Sequence, residues 1–206
     1  MASIMLVAPA NDDDAQVLAS WASLVGDEAG EMHVILPGAT PLAPSNRQEL
    51  ETYIETQNPD ALFFFGHGTW HSLRGNDESL IDSDNADLLT GKMVIAMACK
   101  SALALGRSVV RPVIGVKSYI GFTDDLRWTY PEETLFGSSM VEGLRSMLEG
   151  QPSGVTEQAL KDEFLKLAHH LKYERPIFPN MALAYLDAFW DAGHVKLHGD
   201  TVAGLS

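Results

Sequence analysis

Two side chains able to do covalent chemistry stand at the ends of apolar runs. His67 follows ALFFFG (residues 61–66) inside a Gly-His-Gly triplet, and Cys99, the sole cysteine, closes KMVIAMAC (residues 92–99). A thiol within reach of an imidazole is a nucleophile with its own acid and base. The thiolate is the reactive form of sulfur, and the ring takes up its proton and later passes it to a leaving amine. Gly66 and Gly68 let the backbone turn sharply and a substrate approach closely, and the N–H groups of Gly68 and Cys99 could receive a developing oxyanion. Taken singly, a cysteine after an apolar strand is a small core residue, and a histidine there is a solvated loop residue. Only their joint placement points to catalysis.

Positioning such a pair requires a sheet. Residues 3–9, 32–38, 61–66, 92–99 and 115–122 read as strands. A helix is expected from residue 12, with Val17, Leu18, Trp21, Leu24 and Val25 at three-to-four spacing, and another over 45–57, with Leu50, Tyr53 and Ile54 on one face. SALALGRSVV suits a short helix, and three more stretches follow at 132–149, 156–172 and 180–192. Strands alternating with helices, the central ones apolar throughout, predict an α/β sandwich whose mainly parallel sheet is covered on both faces. Ligands and catalytic groups collect at the carboxyl ends of such strands. The runs ending at His67 and Cys99 are consecutive, so they are expected to be neighbours, with the two residues facing each other across a cleft. Leu183, Leu186, Phe189 and Trp190 form an apolar helical stripe expected to be core. With no internal repeat, and with GQPSG read as a turn, residues 1–206 are expected to form one domain.

Composition narrows the function. The chain carries 28 acidic against 14 basic residues, a formal net charge of -14, which argues against a nucleic-acid partner. One cysteine excludes an intramolecular disulfide and a Cys-rich zinc site. DSDNAD (82–87) lacks the glycine and distal glutamate of a calcium loop, and neighbours such as His169 and His170 diverge by about 100° on a helix, so no metal is expected. The N-terminus lacks a basic leader and no run of about 18 apolar residues occurs, so a cytoplasmic location and no membrane partner are expected.

FFFGHG and VIAMACKSA, in this order, resemble the cysteine peptidases of the caspase-like fold, and within them the bacterial CHAT-type and separase-like members. GVKSYIGFTDDL is similar to the family's next core strand and the acidic turn after it. The resemblance covers about residues 60–126; residues 127–206 carry no recognised motif. It implies a three-layer α/β/α sandwich and a cysteine endopeptidase acting on a protein or peptide substrate, with His67 and Cys99 as the catalytic pair and no cofactor. It also implies a pocket near the pair for the residue preceding the scissile bond. Asp124 and Asp125 could there bind a substrate Arg or Lys, with Asp12 as a third candidate; capping of a turn or helix explains the pair at 124–125 equally well. Trp70 and Trp128 are placed at the rim of the same cleft. A protease in a cytoplasm calls for control, so a regulatory protein partner is a further expectation. An inactive docking module on the same scaffold is the alternative. A flavodoxin-like domain ranks last, because no Gly-rich phosphate loop follows the first strand.

Overall fold

Each apolar run becomes a strand because it offers apolar side chains to both sides of the pleat. The computed structural model describes residues 2–31, 41–75, 78–173 and 181–205. In chain order the elements are β1 (Ile4–Val7), α1 (Asp13–Glu31), α2 (Arg47–Gln57), β2 (Ala61–Phe65), β3 (His67–Gly68), β4 (Leu73–Arg74), β5 (Ser79–Ile81), β6 (Met93–Met97), α3 (Ala104–Val109), β7 (Ser118–Phe122), α4 (Glu133–Leu148), α5 (Ser153–Tyr173), α6 (Met181–His194) and β8 (Val195–Gly199). Among the described residues the main sheet runs β1-β2-β6-β7-β8, parallel except for β8. The strand expected at 32–38 lies outside the described residues. Just after it, Leu42 bridges in parallel to Val7.

The pleat divides the core in two. Ile4, Leu6, Ala61, Phe63, Phe65, Met93, Ile95 and Met97 face α1, α4, α5 and α6, whereas Met5, Val7, Leu62, Phe64, Val94 and Ala96 face α2 and α3. This is the three-layer α/β/α arrangement. Phe63, Phe64 and Phe65 are all fully buried, each burial contributing about 1.5–3 kcal/mol. Parallel strands buried on both faces therefore lose the alternation that an exposed sheet would show.

Two expectations are corrected. Residues 195–199 form an antiparallel edge strand that the helical reading of the C-terminal region omitted. Leu183, Leu186 and Phe189 are more than half exposed, so the stripe is not core. The buried face of α6 is Ala184, Ala188 and Ala192. Small side chains let that helix pack closely, and the large ones are left pointing outward.

Candidate active site

The sheet's register places the two chemical residues. β2 and β6 pair in parallel with Phe65 opposite Met97, so both chains leave the sheet at the same level. The Gly66 N–H donates to the Met97 carbonyl at 3.3 Å. His67 and Gly68 then open a small antiparallel sheet, β3-β4-β5. A Cβ on Gly68 would lie 2.4 Å from the Cys99 carbonyl oxygen and 2.9 Å from the Ala98 Cβ. Only glycine fits there, and its backbone seats the residue beside His67 directly on Cys99.

The ring of His67 is held from the first strand. Asp12, five residues past β1, accepts the Ala15 N–H on Oδ1 at 2.8 Å, capping α1, while its Oδ2 lies 2.7 Å from His67 Nε2. The two carboxylate oxygens thus fix one another's geometry. The Ala15 N–H bond, with smaller help from the His67 contact, holds the Asp12 carboxyl below its ordinary range against the opposing effect of burial. Asp12 is therefore ionised at neutral pH, accepts a hydrogen bond from Nε2–H, and leaves Nδ1 as the unprotonated ring nitrogen.

Cys99 is half-buried and packs with the α1 side of the core. The turn after it is strained: Lys100 sits in the left-handed region at φ 56°, and its N–H donates to the Asp124 carbonyl at 2.9 Å. The sulfur lies 4.0 Å from the Leu126 carbonyl. Burial pushes the Cys99 thiol up, with Asp125 and Asp191 adding to the rise against the Leu126 contact and Lys100. A thiol lowered by its neighbours is the expectation for such a nucleophile; here desolvation outweighs them and sulfur keeps its proton at neutral pH.

The acidic residues fall into distinct environments. Asp125 Oδ1 pairs with Lys100 Nζ at 2.7 Å, and Asp124 Oδ1 accepts the Asp125 N–H at 2.8 Å. Asp125 is thus engaged by a cation of the chain itself, and Asp124 caps its own turn. A cavity of about 290 Å³ opens instead between α1 and the segment after β7, lined by Asp14, Leu126, Arg127, Trp128, Tyr130 and Asp187. Trp128 also meets Trp21 edge-on, with centroids 5.3 Å apart, whereas Trp70 is 56% exposed.

Sequence reasoning missed the contribution of α6. Asp187 Oδ2 accepts from Thr129 Oγ1 at 2.6 Å, Asp191 Oδ1 accepts the Arg127 N–H at 3.0 Å, and the Trp190 indole N–H donates to the Asp125 carbonyl at 3.0 Å. The Arg127 guanidinium lies 3.9 Å above the Trp190 ring. The signal was two carboxylates four residues apart in the otherwise apolar LDAFWDAG. Asp191 is completely buried, and its Oδ2 has no partner among the described residues. Burial holds its carboxyl well above the ordinary range, more strongly than the Arg127 N–H lowers it. The folded state therefore holds this proton to higher pH than the unfolded chain does. The stability this confers is full below the unfolded carboxyl's pKa of about 3.9 and is lost as pH rises toward the folded value. Asp191→Asn is therefore expected to melt several degrees above the parent at pH 8 and to match it near pH 4, which paired thermal melts will check.

No protein-family model matches the chain, and no curated protein matches it in sequence. Solved structures do. A structure described as a protease superposes with a TM-score of 0.59 at 10% identity, covering 98% of this chain and 48% of its own. Caspase-1 from Spodoptera frugiperda superposes with a TM-score of 0.53 at 15% identity, covering 97% of this chain and 87% of its own. The fold is caspase-like. The chain spans about half the length of the first of these neighbours and most of the second. Among the described residues, no helix of this caspase-like chain is long and apolar enough to cross a membrane.

Proposed function

We propose that this chain is a cysteine endopeptidase with Cys99 as nucleophile and His67 as general base and acid. The observation that carries the reading is the pair of contacts that flank the ring. Asp12 holds Nε2, and Gly68, the next residue, rests on the Cys99 backbone. On a caspase-like fold this supplies both partners of a thiol–imidazole reaction from neighbouring strand ends.

Because the thiol is raised rather than lowered, its proton leaves during attack and not before. Nδ1 of His67 accepts that proton as sulfur bonds to the substrate carbonyl carbon, and the carbonyl π electrons move to oxygen. The N–H groups of Gly68 and Cys99 are assigned to that oxyanion. When the tetrahedral species collapses, the C–N bond breaks and the imidazolium returns its proton to the amine. Water, activated by the same ring, then hydrolyses the thioester. Asp12 remains ionised throughout and is a positioning residue.

The finer specificity also follows from charge. With Asp125 held by Lys100, the acceptor for a substrate Arg or Lys moves to the cavity that carries Asp14 and Asp187 beside the Trp128 and Tyr130 rings. Carboxylates and ring faces both attract a cation. Fluorogenic peptides that differ only in Arg or Asp before the scissile bond will test this. Arg is expected to be favoured by about 100-fold in kcat/KM, since a like charge costs several kcal/mol. Asp187→Asn should remove most of that preference. Equal rates for both peptides would reject the cavity as the specificity site. The second reading, a docking module without turnover, draws on the burial that raises the thiol, and absence of cleavage of every peptide would favour it.

A further inference from the structure

A second cavity, of about 400 Å³, lies at α3 and is lined by His71, Ser83, Leu105, Arg107, Ser108 and Arg111, together with Ala104. In a chain with twice as many acidic as basic residues, arginines find carboxylates readily: Arg47 pairs with Asp82, and Arg145 with Glu28 and Glu142. Arg107 and Arg111 pair with no carboxylate among the described residues. They stand four residues apart, Arg107 in the last turn of α3 and Arg111 just past its cap, and both are exposed.

The remaining lining sets the chemistry of a ligand. Ser108 Oγ donates to the Leu105 carbonyl at 2.8 Å, and Ser83 Oγ donates to Asp84 Oδ1 at 3.4 Å. Both hydroxyl protons are used internally, so the donors offered to a guest are the two guanidiniums and His71. Among the described residues, no carboxylate lines the cavity. Two guanidiniums are neutralised by a dianion, which a phosphate monoester supplies with about -1.5 to -2 charges and a single carboxylate does not. The volume far exceeds one phosphate ion, and Ala104 and Leu105 in the lining give the rest of the guest an apolar edge.

We propose that this cavity binds a small organic phosphate monoester, its phosphoryl group bridging Arg107 and Arg111 and its organic part lying against Leu105 and His71. The site sits where two segments leave the candidate active site. His71 lies four residues past His67, α3 begins five residues after Cys99, and the Leu105 N–H donates to the Trp70 carbonyl at 2.7 Å, tying the two together. The inference stands on the cavity itself and not on peptidase activity.

Calorimetric titration of the intact chain with phenyl phosphate, inorganic phosphate and benzoate tests it. Phenyl phosphate is expected to bind one to one, at least about tenfold more tightly than either of the others, since each guanidinium contact to an anion is worth about tenfold or more. The double variant Arg107→Gln, Arg111→Gln should lose at least about 30-fold in affinity, with the circular dichroism and melting temperature of the free protein unchanged because both side chains are exposed. Should that variant fold poorly, Arg111→Lys, outside the helix, is expected to lose about tenfold by giving up the planar fork. Absence of saturable binding would overturn the proposal. So would benzoate or inorganic phosphate binding as tightly as phenyl phosphate, or phenyl phosphate affinity that survives loss of both arginines.

Discussion

Cys99→Ala is expected to lower kcat for peptide cleavage by about 10⁴-fold or more, to the level left by binding alone. Alanine keeps the Cβ and suits a strand end already next to Ala98, so the protein should fold and its melting temperature should change little. What disappears is the only thiol in the chain. Serine in its place would restore size but not reactivity, because a hydroxyl is a far weaker nucleophile than a thiol at neutral pH. The same residue gives a second readout. Burial raises the Cys99 pKa, so iodoacetamide should modify the free protein more slowly at pH 7 than it modifies an unstructured cysteine, with the rate still climbing at pH values where an ordinary thiol has levelled off. Cleavage that persists in the alanine variant would remove Cys99 from the mechanism. Rapid alkylation at neutral pH would mean that the resting pair already holds a thiolate.

The difference between what residues 61–99 disclosed and what residues 127–206 withheld has a physical origin. FFF and VIAMA read as strands because each side chain is buried, whichever face it takes, and Gly68, beside His67, stands where the Cys99 carbonyl leaves no room for a side chain. Sheet order follows from short connections. His67 and Cys99 were accordingly legible as neighbours at strand ends. Asp12 was visible as an acid past the first strand, but its bond to His67 spans 55 residues, and no local pattern reports such a contact. The edge strand β8 alternates Val195, Lys196, Leu197 and His198 for only five residues after a helix, and the helical pattern before it masked the change of period. In α6 the sequence is apolar on both faces, so periodicity could not choose between them. Packing chose the alanine side, and with it turned Asp187 and Asp191 toward the loop that follows β7.

Asp12→Asn is expected to reduce kcat by about 10²–10⁴-fold while leaving KM nearly unchanged. In the parent, Oδ1 is committed to the Ala15 N–H and Oδ2 accepts from His67 Nε2–H, so the ring's lone pair is on Nδ1. Asparagine can keep the α1 cap only by placing its carbonyl oxygen on Ala15, which aims the amide NH₂ at Nε2. A donor there selects the opposite tautomer, with hydrogen on Nδ1 and no base toward sulfur. Flipping the amide would restore an acceptor for the ring at the expense of the cap, with a loss of about 0.5–2 kcal/mol in helix stability. Either way the imidazolium formed during attack loses its anionic partner, so the deficit should fall on the chemical step and not on substrate binding. Asp12→Glu, which restores the charge on a longer stem, should recover part of the rate. The comparison also separates positioning from mere structural support. A variant with parental kcat but a lowered melting temperature would leave Asp12 as a helix cap alone, whereas parental stability with a collapsed kcat and an altered pH–rate profile would identify it as the group that sets the imidazole's tautomer.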